Sequence, residues 1–301
     1  MDNPQYEERQ AVRTVVRGTY DIQNLRIQTG NRIVANFKAR LGQAPSEKEE
    51  TMDKEAKDIL ANLRKEFDRI TDGVAIFPRA SSFKGTELIS SYTELTLMDE
   101  YLALEKAEKN SFKRLGHILK DFGVWTEFLE GIRGVGPTIA GVIVSEINIY
   151  AAEYPSSIHK YAGLDVVNGA GRSRKKEHLS KSSYTDKNGE EKEKMGITFN
   201  PFLKTKLIGV LGPSFIKQPA EKSIYPTIYD NYKHRIEHMP AHKDKSLKHR
   251  HNMAVRYMIK RFLTDLYKAW RELEELPVAP EYSEAKLGMT HVSAKKYGEA
   301  A

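Results

Sequence analysis

The chain has 301 residues, 40% hydrophobic and 30% charged, with a formal net charge of +7, enough for one large domain or two to three small ones around a sizeable core. It contains no cysteine, which excludes disulfides, thiolate nucleophiles and Cys-ligated zinc and favours an intracellular, cytoplasmic life. No apolar run approaches the roughly eighteen residues of a membrane span, and Met1-Asp2-Asn3-Pro4 lacks the basic-then-apolar pattern of a signal peptide.

Residues 6–41 read as one long helix, with Val12, Val15, Val16, Leu25, Ile33, Val34, Phe37 and Leu41 at near-helical spacing. Gly42 and Pro45 end it, and Ser46-Glu47-Lys48-Glu49 fits a capping box for the next helix. Met52, Ala56, Ile59, Leu60, Leu63, Phe67 and Ile70 form that helix's apolar stripe. The pair is expected to form an exposed, antiparallel helical arm, a candidate surface for self-association into a homo-oligomer. After a loop over 71–88, a further helix is predicted from about Ile89 to Leu119.

Phe128 to Ala140 is the most informative stretch. A short helix is expected to end near Glu130, Gly134-Val135-Gly136 makes a tight turn, and Pro137 opens a new helix buried by Ile139, Ala140, Val142, Ile143, Val144 and Ile147. Such a helix-hairpin-helix suits DNA. Glycines allow positive φ and close backbone approach to a phosphate, and the second helix aims its free N–H groups and positive dipole end at it. Arg133 and Thr138 are candidate side-chain contacts that position a duplex without reading its sequence. Two other readings stand beside this one. The hairpin could serve packing alone, or Asp165 could be a glycosylase aspartate, although Pro137-Thr138 stands where bifunctional glycosylases carry a lysine.

The basic surplus lies wholly beyond residue 110, where 31 basic residues face 22 acidic ones, against 17 and 19 before it. A surplus confined to part of a chain points to a polyanion-binding surface. Within 168–198, a polar stretch predicted to be the longest loop, Arg172, Arg174, Lys175 and Lys176 cluster. Asn200-Pro201 is a helix start, with Asn capping and Pro at the first helical position. Helices are expected over 225–239 and 246–276, ended by Pro277 and Pro280, with a loosely held tail. His251, Arg256 and Lys260 are candidate phosphate contacts on the last helix, where Trp270 belongs to the core stripe. His234, His238 and His242 are spaced by four, as in some zinc sites, but no carboxylate or cysteine at ligand spacing completes a site and Pro240 interrupts the helix. Tyr225, Tyr229 and Tyr232 read as packing residues rather than base-stacking platforms.

Taken in order, Gly134-Val135-Gly136-Pro137, Tyr161-Ala162-Gly163-Leu164, the basic Gly/Ser loop from Gly169 to Lys176, Asn200-Pro201-x-Leu203-Lys204 and the segment from His251 to Pro277 resemble the C-terminal domain of a transposase family. It is the IS-one-ten, one-sixteen and nine-oh-two family of insertion-sequence transposases, the bridge-RNA-guided recombinases, and the resemblance covers about 120–280. It implies duplex DNA as partner, a structured guide RNA as a second one, and a serine nucleophile in the basic loop. Full-length members begin with a RuvC-like domain carrying four acidic residues, whereas this N-terminus reads as helices. The stretch matching the family's Ser-Gly is Asn168-Gly169-Ala170-Gly171, which leaves Ser173 as the nearest serine. Ser173 could attack a phosphodiester with Arg172 and Arg174 holding the developing charge, or serve as a loop hydrogen-bond donor.

The expectation is an all-α protein of three regions: a helical arm and bundle over 1–120, a helix-hairpin-helix domain with its basic loop over 121–220, and a basic helical region with its tail over 221–301. The expected function is that of a DNA-binding, transposase- or recombinase-like mobile-element protein associated with the nucleoid. A non-catalytic DNA-binding derivative and a structured-RNA-binding protein are the alternatives. No cofactor is evident in the sequence, and Mg2+ would enter only with an acidic site supplied by a partner.

Overall fold

The computed structural model describes residues 5–43, 53–74, 76–281, 284, 286 and 288. Among them the protein is all-α, with nine α-helices: α1 (Tyr6–Arg40), α2 (Lys54–Thr71), α3 (Tyr92–Ile118), α4 (Pro137–Glu146), α5 (Pro155–Tyr161), α6 (Pro201–Lys206), α7 (Gly212–Ile216), α8 (Ile224–His238) and α9 (Leu247–Leu273). Two small antiparallel hairpins complete it: β1 (Val166–Val167) with β2 (Ala170–Gly171), and β3 (Ser180–Thr185) with β4 (Glu191–Gly196). None of the described helices is long and apolar enough to cross a membrane. The chain divides into two compact units, one formed by Thr14–Arg114 and one that joins the residues up to Arg13 to those from Leu115 onward.

In the Thr14–Arg114 unit, Ile33 and Val34 of α1, Leu60, Leu63 and Phe67 of α2, and Leu95 and Met98 of α3 pack into one cluster. The α2 residues recur every three or four positions and so share one face. Burial of each such side chain stabilises by about 2 kcal/mol. The start of α2 is capped by Asp53, whose carboxylate accepts the Ala56 N–H at 2.8 Å; the expected capping box at Ser46–Glu49 lies outside the described residues. Leu25 and Leu41, expected in the core, are exposed, because the buried face of α1 turns past them. Glu108 is buried instead, which is tolerable because Arg26 and Gln23 both donate to its carboxylate.

The other unit is built around α4, every residue of which is buried from Ile139 to Glu146. A helix apolar on nearly all sides belongs at the centre of a core. Its C-terminal carbonyls are closed from outside: the Arg9 guanidinium donates to Val144 O at 2.9 Å and also to Ile147 O. Helices α6 and α7 are joined by a π-helical turn over Leu207–Leu211. Pro213 explains it, since proline has no N–H to give to residue 209 and its ring would strike that carbonyl. Phe215 stacks on Tyr225 at 4.4 Å, and both meet Phe262 of α9 edge-on. Trp270 is buried, as its place on the stripe predicted. Helix α9 touches α5, α7 and α8, so the stretches 121–220 and 221–301, distinct in the sequence reading, lie in one unit.

Two expectations change. The stretch 168–198 is not one loop but carries β1–β2 from its edge and the whole of β3–β4. Asn168-Gly169 makes the first turn, both residues at positive φ (49° and 74°), as a two-residue hairpin requires. The chain after Pro277, expected to be loosely held, is tied down through residue 281. Arg271 donates to Pro277 O at 2.5 Å, Tyr267 accepts the Ala279 N–H at 3.1 Å, and Arg261 pairs with Glu281 at 2.6 Å. Buried Arg261 and Arg271 need acceptors; the tail supplies Glu281 and the Pro277 carbonyl, and Ile149 O and Ala152 O complete the set around Arg271.

Candidate nucleic-acid interface

The hairpin at Gly134-Val135-Gly136 has its expected outline, but its parts do different things. The helix before it is a π-helical turn, Trp125–Leu129. Gly134 lies at φ +96°, and a Cβ there would sit 2.9 Å from the Phe215 ring. Its carbonyl accepts from Ser214 Oγ at 2.8 Å. Val135 is buried. Gly134 and Val135 therefore hold the hairpin to the core. Gly136, expected at positive φ, instead has extended backbone at φ −100°, ψ 173°, with open space where a Cβ would stand. It is the N-cap of α4, and no side chain caps that helix start. Gly136 and Arg133 are exposed and Thr138 is half-buried. The N–H groups at the start of α4 thus have no side-chain acceptor and face an exposed, uncharged turn flanked by one arginine.

A larger feature lies elsewhere in the same unit. The β1–β2 hairpin, Tyr232 of α8 and one face of α9 line an open groove of about 620 Å³. His249, Asn252, Arg256 and Lys260 recur every three or four residues along α9 and so point into it together. Lys245 and Lys248 line its other end, and no carboxylate is among its lining residues. Arg256 also organises the groove. Its Nη2 donates to Gly163 O at 3.1 Å and Asp165 O at 3.3 Å. Its guanidinium lies so close over Gly171 that a Cβ there would come within 2.8 Å. A side chain at Gly171 would push the guanidinium aside. Tyr232 of α8 and Tyr257 of α9, both lining residues, stack on one another at 4.1 Å.

The electrostatics are those of cations held apart from water and close to each other. Burial, then the neighbouring Arg256, pushes the Lys260 ammonium below the usual lysine range, and burial lowers Arg256 as well. Lys204, which donates to Arg172 O at 2.5 Å, is pushed down to about 8 by burial, with Arg256, Arg172 and Arg174 adding to the effect. The carboxylate that partly offsets all three is Asp165. Arg172 already holds it, from Nε at 2.8 Å to both oxygens and from Nη2 at 2.7 Å. Burial opposes the charged form of Asp165, yet the Arg172 contacts outweigh it and its pKa falls.

The sequence-predicted residues separate accordingly. Arg256 and Lys260 come together in the groove. Arg172 stands close by, but its guanidinium is engaged with Asp165 and Thr198. Arg174, Lys175 and Lys176 are exposed on the loop that follows, with Lys175 3.7 Å from Glu177. His251 is off the groove face and meets Tyr229 Oη through Nδ1 at 2.7 Å. His249 takes the place expected of it, because two residues along a helix is more than half a turn. The His234 and His238 rings meet at a tilt, centroids 4.3 Å apart, while His242 bonds Lys245 beyond the helix end, and no group of three His, Asp or Glu suited to a metal occurs among the described residues. Lys204 was visible only as the last letter of the Asn-Pro-x-Leu-Lys motif, and Lys245, Lys248 and His249 only as part of a basic stretch.

Ser173 has an unexpected neighbour. Its N–H donates to His178 Nδ1 at 2.9 Å, and its Oγ lies 2.9 Å from the same nitrogen. An amide can only donate, so Nδ1 is the acceptor and the neutral ring carries its proton on Nε2, which is buried with no hydrogen-bond partner. The Lys175 N–H points at Ser173 Oγ from 3.3 Å. Comparison of the chain with models of known families, with curated proteins and with solved structures found no match.

Proposed function

We propose that the chain binds duplex DNA, as a transposase- or recombinase-like protein of a mobile element, taking backbone phosphates in the α9 groove and at the start of α4. The groove carries this reading. Lys260 is partly buried beside Arg256, Asp165 offsets its charge only in part while being held by Arg172, and no acidic side chain lines the cavity. Cations stripped of water and facing each other gain most from an anion that restores hydrogen bonds and removes repulsion. A phosphate run does this at several points at once and releases counterions. The exposed Arg174, Lys175 and Lys176 extend the same field.

The test is binding of labelled duplex across a salt series, for the parent chain and for Lys248→Gln with Lys260→Gln. We expect affinity to fall alike for all sequences and the salt slope to drop by about 2, one for each lysine that no longer neutralises a phosphate. Unchanged affinity in the double variant refutes the groove as a phosphate site. Displacement of duplex by much lower concentrations of structured RNA would replace this reading with RNA binding.

A strand-cleaving role is a second reading, favoured by the Ser173–His178 contact. Attack by Ser173 Oγ on a phosphodiester would form a serine–phosphate ester and expel the sugar oxygen of the cleaved strand, and the Oγ proton could pass to His178 Nδ1 only once that nitrogen releases the Ser173 N–H it accepts in the structure. Cleavage of supercoiled DNA that is abolished in Ser173→Ala, with binding intact, would support it. Bound but uncut DNA would leave a non-catalytic binding protein.

A further inference from the structure

The β3–β4 ribbon is exposed along its length, every residue except Gly196. Two strands with no covered face are marginal in water, so no core dictates where their side chains go. The register pairs Ser180 with Gly196, Ser182 with Lys194 and Tyr184 with Lys192, and the alternate set Lys181 with Met195, Ser183 with Glu193 and Thr185 with Glu191. Cross-strand partners share a face and successive residues alternate. One face therefore holds two serines, a tyrosine and two lysines, of which Lys192 is paired with Asp186 and Glu190 of the turn and Lys194 is left as its cation, and both ribbon glutamates are on the other. Lys194 lies over the Tyr184 ring at 4.9 Å. On the opposite face Lys181 is neutralised by Glu193 at 2.9 Å.

We infer that the Ser182–Tyr184–Lys194 face enters the major groove of B-form DNA. That groove, about 12 Å wide, admits a two-stranded ribbon, and a six-residue strand spans about 20 Å of it. Lys194 meets phosphate, while the Ser182 and Tyr184 hydroxyls, each donor and acceptor, face base edges. The glutamate face turns outward, because phosphates repel it. The deep, narrow major groove of A-form RNA does not admit the ribbon. This contact rests on the duplex-DNA reading and adds base edges to a surface that otherwise meets phosphates.

The chain has no native cysteine, so Ser182→Cys and Ser183→Cys each place one photo-cross-linker, on the inner and outer face respectively. With a duplex several turns long, the Ser182→Cys chain should cross-link to DNA several-fold more than the Ser183→Cys chain. In parallel, Lys194→Ala should lower the salt slope by about 1 while Lys181→Ala leaves it unchanged. Equal cross-linking from both positions, in chains that still bind duplex, overturns the ribbon contact and leaves the DNA reading standing. Preferential cross-linking to structured RNA overturns it as well. Absence of duplex binding by the parent chain at low salt overturns both.

Discussion

Gly134 and Gly136 stand two residues apart and answer to different forces. At Gly134 a methyl group would press on the buried Phe215 ring from a backbone at φ +96°, so Gly134→Ala should cost about 1–3 kcal/mol through overpacking and backbone strain. At Gly136 the space is open and the backbone suits any residue. Gly136→Asp should cap α4 and stabilise by a few tenths of a kcal/mol, raising the melting temperature by about 1 °C. The same carboxylate would occupy the place of a phosphate, and duplex affinity should fall several-fold. Thermal melts and filter binding read the two effects separately; undiminished affinity in Gly136→Asp would rule out the start of α4 as a phosphate site. The sequence offered the two glycines as equals, and only the position of Phe215, 81 residues further along, tells them apart.

Elements show where periodic patterns suffice. Helices α1, α8 and α9 lie within a few residues of the limits read from spacing and caps, because an apolar stripe and a proline act locally. The hairpins were harder to see. Asn168-Gly169 and Asn188-Gly189 are turn signals, but β1 and β2 are only two residues each, and β3 and β4 are polar and exposed, so neither pair shows the alternation that marks a half-buried strand. Helix α9 also carries what no stripe reveals: Asp265, buried beside Tyr225, whose hydroxyl reaches its carboxylate at 3.1 Å. Burial pushes its pKa up to about 6, against the pull of Arg261. The folded chain thus binds this proton more tightly than the unfolded one, so the group's contribution to stability is present near pH 4 and is lost as pH rises through about 6. His159, held down at about 4 by burial, works the other way over nearly the same range and masks the effect in the parent chain. The difference between Asp265→Asn and the parent isolates it: the variant should gain stability at pH 7, by at most about 3 kcal/mol, and the gain should vanish towards pH 4. Denaturant melts at both values decide this, and a gain independent of pH would mean that Asp265 stays ionised throughout.

Across the whole molecule, burial predicts where stability resides. In the free protein, amides of α4 and of the buried stretch of α9 should exchange with solvent slowest, near the global unfolding limit, while the hydrogen-bonded β3–β4 amides exchange fastest among regular elements. Ribbon protection equal to that of α4 would mean that the ribbon is covered, contrary to its exposure. By itself the sequence determined the all-α class, the run of helices, the hairpin at 134–136 and a basic surplus beyond residue 110, since these follow from local spacing, turn chemistry and composition. Only the tertiary structure decided which cations act together. Arg256 and Lys260 share the α9 face with His249 because helical geometry puts His251 elsewhere. Arg172 is held by Asp165 because β1–β2 folds back on itself. Gly171 packs against the guanidinium of Arg256, 85 positions away, a relation set by contacts between distant segments that no local pattern records.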